Sequence, residues 1–286
     1  MNFKTLVVCS LAAGAVVLPA AATPLFSVEI QRTTVYDQTS GAAPASPSNV
    51  AVIFSVDPPA NFTGGTVDSP LATDVAQLSP GLDGGGNPDL QSMEFNFSSQ
   101  PAALAMFPNG GSTYTFNLVD SNDTTQNQSV QMQDISTSAT LGTPAATSAT
   151  WNGLQGLDAT QDFTFGYNAD TSPDASLDFL EIAQCSDATC ANFVSLVYFN
   201  SASPGNTSFD LPANTFLPGT PYLAALFFTA ATGVPNTNTL TEINNETNIT
   251  FETMTSIPEP GTWLSLLTGL AGLAIRRWRK RATRAD

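Results

Sequence analysis

Val50-Ala51-Val52-Ile53-Phe54-Ser55-Val56 sets Val50, Val52, Phe54 and Val56 at every second position, with the smaller Ala51 and Ser55 between them. A period of two marks a strand with one buried face, because successive side chains leave opposite sides of the backbone. The pattern returns at Met93, Phe95 and Phe97, and at Tyr114, Phe116 and Leu118. Further along, Phe163, Phe165 and Tyr167 alternate, followed by Leu180 and Ile182, then Phe193, Leu196 and Tyr198. Gly, Pro, Asn and Asp interrupt these runs about every ten residues, and helical spacing is scarce. Short strands at that interval predict an all-β protein built of β-sandwiches rather than a parallel α/β sheet. The 18 Phe of a 9% aromatic chain are enough to fill two cores of that kind.

Phe216-Leu217-Pro218-Gly219-Thr220-Pro221-Tyr222 leads directly into the apolar run Leu223–Phe228. A turn ending in a tyrosine at the start of a strand resembles the corner before the penultimate strand of fibronectin type III and other Ig-like domains. The resemblance implies that the Tyr222 hydroxyl bonds back across the corner, and that Trp151 upstream occupies a core position. The first half holds an echo at Phe107-Pro108-Asn109-Gly110-Gly111-Ser112-Thr113-Tyr114-Thr115-Phe116. Division near Leu141–Pro144 then predicts two β-sandwich domains, residues 23–140 and 141–256, each of normal domain size.

Both ends of the chain read as targeting segments. Lys4, the apolar stretch Leu6–Leu18 and Ala20-Ala21-Ala22 form a signal peptide over residues 1–22, cut between Ala22 and Thr23. Cys9 leaves with it. At the other end Pro258-Glu259-Pro260 precedes an uncharged run, Gly261–Ile275, followed by Arg276, Arg277, Arg279, Lys280, Arg281 and Arg284. Six of the eight basic residues lie in that tail. The apolar run is a transmembrane helix candidate if flanking side chains snorkel, and the basic cluster fixes its end in the cytoplasm. Trp263 and Trp278 fall near the two interfaces.

A Pro-bounded tripeptide, an apolar helix and a basic stop, in that order over residues 257–286, resemble the PEP-CTERM sorting signal of exported bacterial proteins. The resemblance implies export by the Sec translocon, cleavage by signal peptidase and transient anchoring in the inner membrane with the body in the periplasm. It further implies recognition of Pro258-Glu259-Pro260 by an exosortase and delivery to the cell surface or extracellular matrix. A plain single-pass anchor without processing is the competing reading. The segment from Trp151 to Thr164 is similar to a recurrent opening of Ig-like domains in exported proteins with this tail, from Gram-negative bacteria that make exopolysaccharide.

Between Thr23 and Ile257 a single basic residue, Arg32, stands against 22 Asp and Glu, a formal charge of −21 compared with −16 for the whole chain. Such a body is repelled by nucleic acid and by anionic lipid. The chain contains no histidine, which excludes Ser-His-Asp and Cys-His nucleophile systems and His-ligated metal centres. The body also lacks lysine for Schiff-base chemistry or phosphate binding. Asp170-Thr171-Ser172 matches one triplet of an aspartic-protease site, which needs two. A glycoside-hydrolase pair of carboxylates, about 5 or 6.5–9.5 Å apart, is open to any chain with this many acids, but no motif selects one.

Cys185 and Cys190 bracket Ser-Asp-Ala-Thr, and outside the cytoplasm such a pair predicts a disulfide. Asp83-Gly84-Gly85-Gly86-Asn87-Pro88-Asp89 and Asp120-Ser121-Asn122-Asp123 offer oxygens to calcium, although turn formation alone explains them. No other cofactor is expected. The resulting expectation is a non-catalytic exported protein of the cell surface or of an exopolysaccharide or biofilm matrix. The alternative is a carbohydrate-binding surface module using aromatics such as Trp151, Tyr198 or Tyr222, with a carboxylate-based glycoside hydrolase third.

Overall fold

The computed structural model of the chain describes residues 27–57, 62–82, 88–108, 112–131, 141–233 and 239–255. The alternating stretch around Phe54 becomes β2 (Asn49–Asp57), preceded by β1 (Ser27–Asp37). They are followed by β3 (Phe62–Ser69), β4 (Ala72–Leu82), β5 (Pro88–Ser92), β6 (Phe95–Phe97), α1 (Gln100–Met106), β7 (Thr113–Asp120) and β8 (Thr125–Gln131). The second half contains α2 (Ser148–Leu154), β9 (Phe163–Gly166), β10 (Leu177–Cys185), β11 (Phe193–Ala202), β12 (Ser208–Leu211), β13 (Pro221–Gly233) and β14 (Thr239–Glu252). The described residues are therefore mostly β, consistent with an all-β protein, and include two seven-residue helices. Both helices are nucleated by caps rather than by an amphipathic pattern: Ser99 accepts from the Ala102 N–H, and Thr147 accepts from the Thr150 N–H.

The apolar faces assemble two cores. In the first, Val50, Val52, Phe54 and Val56 meet Val67, Leu78, Leu90, Tyr114, Phe116 and Leu118. Phe54 lies at its centre, with ring centroids of Phe107, Tyr114 and Phe116 at 5.2, 5.8 and 6.2 Å. In the second, Leu180, Ile182, Leu226, Phe228 and Ile249 are covered by Phe165, Phe209, Leu211 and α2 residue Leu154. Tyr167 stacks on Phe209 at 5.1 Å. Each fully buried side chain of this size contributes roughly 1.5–3 kcal/mol, so the two clusters provide most of the driving force for folding.

The cores lie on either side of the expected boundary, but the hydrogen bonding crosses it. One twelve-stranded sheet runs β11-β10-β13-β14-β1-β2-β5-β4-β3-β7-β8, with β6 also beside β2; β9 and β12 form a separate pair. The seam is β1, which pairs antiparallel with β2 and parallel with β14. Ile30 thus lies opposite both Phe54 and Thr241. All other pairings between the named strands are antiparallel.

Two of the alternating runs are less regular than their sequence implies. Met93 precedes β6 and is 79% exposed, so only Phe95 and Phe97 reach the first core. Tyr198 pairs with Ile182 and Leu196 with Ala183, leaving Val197 as an extra residue. That bulge puts Leu196 and Tyr198 on different faces. Trp151 lies on α2, partly buried against the second core.

Candidate functional site

The residues expected to direct sorting lie outside the described residues: Ala22 and Thr23 at the signal cleavage point, Pro258, Glu259 and Pro260, the run Gly261–Ile275 and the basic cluster Arg276 to Arg284. Among the described residues no helix is long and apolar enough to cross a membrane.

Alternation on the central strands creates a polar face opposite the cores. Along β14, Ile243 and Ile249 turn inward while Glu242, Asn244, Glu246 and Asn248 take the other side. Their neighbours on that side include Glu29, Gln31 and Thr33 of β1, Ala225, Phe227 and Thr229 of β13, and Phe179 and Glu181 of β10. Glu181, Glu242, Asn244 and Glu246 are all buried. The Gln31 Nε2 donates to the Glu242 carboxylate at 3.2 Å. Burial, reinforced by the nearby Glu246 charge, pushes the Glu181 carboxyl up to about 9. Glu246 is pushed up to about 8 by burial, with repulsion from Glu94 and Asp37 adding to it. Glu29 lies well above its ordinary range, through burial and then the Glu242 carboxylate. At neutral pH Glu181 and Glu246 hold their protons, which makes this face less charged than its composition suggests.

Asp170 and Asp178 form a second acidic group at the margin of the second core. Asp170 Oδ1 accepts from the Ser172 N–H at 2.9 Å and from the Gly142 N–H at 3.4 Å, so its role is to close a turn. Tyr167 donates its hydroxyl proton to Asp178 at 3.5 Å. Asp178 is fully buried, and burial followed by the Asp170 charge raises it to about 7. A raised carboxyl often marks an acid catalyst in a cleft. Here, and at Glu181, the perturbation comes with essentially no solvent exposure. These groups are embedded in sheet packing.

Arg32, the single cation of the body, is also buried, and burial lowers its pKa. Its Nε and one terminal nitrogen have no hydrogen-bond partner among the described residues. It sits on the seam strand between Ile243 and Val52, where sequence charge alone would have placed it at the surface.

Cys185 and Cys190 form a disulfide closing the tip between β10 and β11. Of the first calcium candidate, Asp83–Asp89, residues 83–87 lie outside the described residues, while the buried Asp89 accepts from the Leu90 N–H at 2.7 Å and from the Gln91 amide at 2.9 Å. In the other, Asp120 Oδ1 accepts from the Asn122 and Thr124 N–H groups at 2.8 and 2.9 Å. The described residues contain no cluster of three or more acidic or thiol ligands placed to hold a metal. The three aromatics considered for sugar contact all serve the second core. Tyr222 is fully buried, Trp151 and Tyr198 pack against that core, and Tyr198 donates to the Asp210 carbonyl.

Two tyrosines close analogous corners. The Leu217 N–H donates to the Tyr222 hydroxyl at 2.8 Å. In the first half the Tyr114 hydroxyl donates to the Pro108 carbonyl at 2.7 Å.

Comparison with known proteins bears on the tail. The PEP-CTERM protein-sorting motif matches residues 256–280, which implies an exported, membrane-transiting protein processed by an exosortase. No curated protein matches the chain. Among solved structures, the chain is similar to the BSP domain of a biofilm associated protein, with 11% identity and a TM-score of 0.21. That likeness covers 81% of this chain and 30% of the other, so the chain spans less than a third of that protein's length. A second likeness is to the two tandem V-type regions of VCBP3, a v-region-containing chitin binding protein. It has 9% identity and a TM-score of 0.16, covering 77% of this chain and 99% of the other.

Proposed function

We propose that this chain is a non-catalytic protein of the cell surface or of an exopolysaccharide or biofilm matrix, delivered there by its C-terminal tail. The supporting observation is the sorting motif over residues 256–280, attached to a body without histidine. In this reading Gly261–Ile275 holds the exported precursor in the inner membrane. Exosortase then acts at Pro258-Glu259-Pro260 and frees the body. The burial of Tyr222, and the core packing of Trp151 and Tyr198, favour this structural role over sugar binding. The proposed partners are the Sec translocon, signal peptidase, exosortase and, outside the cell, polysaccharide.

The test is a Glu259→Ala, Pro260→Ala double variant in the exporting host, followed through cell fractions. The expected result is loss of the surface form and accumulation in the inner membrane. Unchanged delivery to the surface would overturn the reading.

A further inference from the structure

β11 is a terminal strand of the large sheet. All its ladder partners lie on β10, and its other edge has no backbone partner among the described residues. It is ten residues long and contains neither charge nor proline, although the body around it is strongly acidic. Folded proteins usually guard such an edge with lysine, proline, short length or bulges. Here only bulges are used, and they occupy the half near the disulfide, at Ile182/Ala183 and Gln184/Cys185. From Tyr198 to Ala202 the ladder with β10 is unbroken.

The bulge at Val197 also turns Leu196 and Phe199 to the same outer face, where they are 41% and 52% exposed. The Phe199 ring lies 6.1 Å from Phe179, which stacks on Phe227 at 4.2 Å. An apolar strip therefore crosses from β13 over β10 to the open edge.

We propose that β11 is a self-association edge, at which two copies of this chain pair β11 to β11, antiparallel about a two-fold axis. The backbone supplies the directional bonds, as in other strand additions. The apolar strips of the two copies then join across the axis. A second copy fits better than an unrelated strand for two reasons. A two-fold matches β11 to itself without requiring a complementary sequence. Its uncharged length also keeps like charges out of the contact itself when two acidic bodies meet. A single pair of strands buries less than the roughly 1,200 Å² of standard stable interfaces, so each contact is weak and association depends on crowding of copies. Pairing and sorting are separate properties, since the edge is far in sequence from the tail.

Cysteine trapping in the full chain, in whole cells, tests this. Val194→Cys, Asn200→Cys and Ser201→Cys scan β11, and Ser129→Cys on the opposite terminal strand β8 is the control. All four replaced side chains are exposed. A disulfide requires Cβ atoms about 3.5–4.5 Å apart, so the linked dimer is expected to peak at one β11 position, at least about tenfold above the control. Phe199→Lys in that background should reduce it to the control level. Absence of dimer from β11, or equal dimer from both edges, would overturn the proposal. Reading whole cells keeps failure of pairing distinct from failure of sorting, which a fractionation of the same cells reports.

Discussion

The two tyrosine corners show how two halves of one chain reach the same local solution with opposite chemistry. Each has a buried phenylalanine, Phe107 or Phe216, shortly before a tyrosine that opens a long strand. Each tyrosine is buried and bonds back to the turn, but the Tyr222 hydroxyl accepts a hydrogen bond where the Tyr114 hydroxyl donates one. The reason lies in the turn residue. Pro108 has no N–H, so its carbonyl is all it can offer, while Leu217 presents a free N–H to the hydroxyl. A phenol is suited to such corners because the same oxygen serves both cases.

The halves differ more in how they are reinforced. The first relies on a dense aromatic cluster about Phe54, whereas the second has the disulfide tip and a separate β9–β12 layer. The shared β1 ties them together. The largest test of that tie is truncation of either core. Phe54→Ala and Phe228→Ala should each cost about 3–5 kcal/mol. Because β1 pairs with both halves, hydrogen exchange should show reduced protection of β1 in both variants. Loss confined to the Phe54 variant would separate the halves.

A dependence of stability on pH, of definite sign, is also expected. Glu181 and Glu246 are protonated in the folded protein up to about 9 and 8, but ionise near 4.3 when unfolded. The folded state therefore binds more protons across that interval, and stability should fall as pH rises from about 4.5 to about 9. Glu181→Gln should flatten the dependence of unfolding free energy on pH; an unchanged slope would show that Glu181 is ionised in the fold. Cys185→Ser with Cys190→Ser should cost about 2 kcal/mol by the chain-entropy model, with lost protection centred on the β10–β11 tip. Smallest are the corners: Tyr114→Phe and Tyr222→Phe should each cost about 1 kcal/mol in denaturant unfolding. Similar values would establish the two corners as equivalent, and a large difference would break the comparison.

Much of the β architecture was legible in the sequence, and the illegible parts have physical causes. Val50 to Val56 and Tyr114 to Leu118 announced their strands because one face is more apolar than the other, and Leu180 with Ile182 did so although Phe179 makes the opposite face of β10 partly apolar as well. β14 was hidden. Its TLTEINNETNITFE alternates polar residues with a mixture of Ile, Asn and Thr, so its inner face lacks a continuous apolar signature. Its pairing with β1, 211 residues earlier at Gln31 and Glu242, is a long-range choice no local pattern encodes. The helices were missed because seven residues set by caps are too short to display a 3.6-residue period. The disulfide and the sorting tail were legible, since spacing in the first and order of composition in the second are local signals. The buried carboxylates were not. Aspartate and glutamate in an acidic chain read as surface charge until strand register places them on a covered face.

Intact mass of the protein recovered from surface and inner-membrane fractions of the exporting host tests the sorting account most directly, because one value fixes both ends of the chain. The expected result is a surface species that begins at Thr23 and ends near Pro258–Pro260. A species that retains Arg276 to Asp286 and is confined to the inner membrane would contradict it.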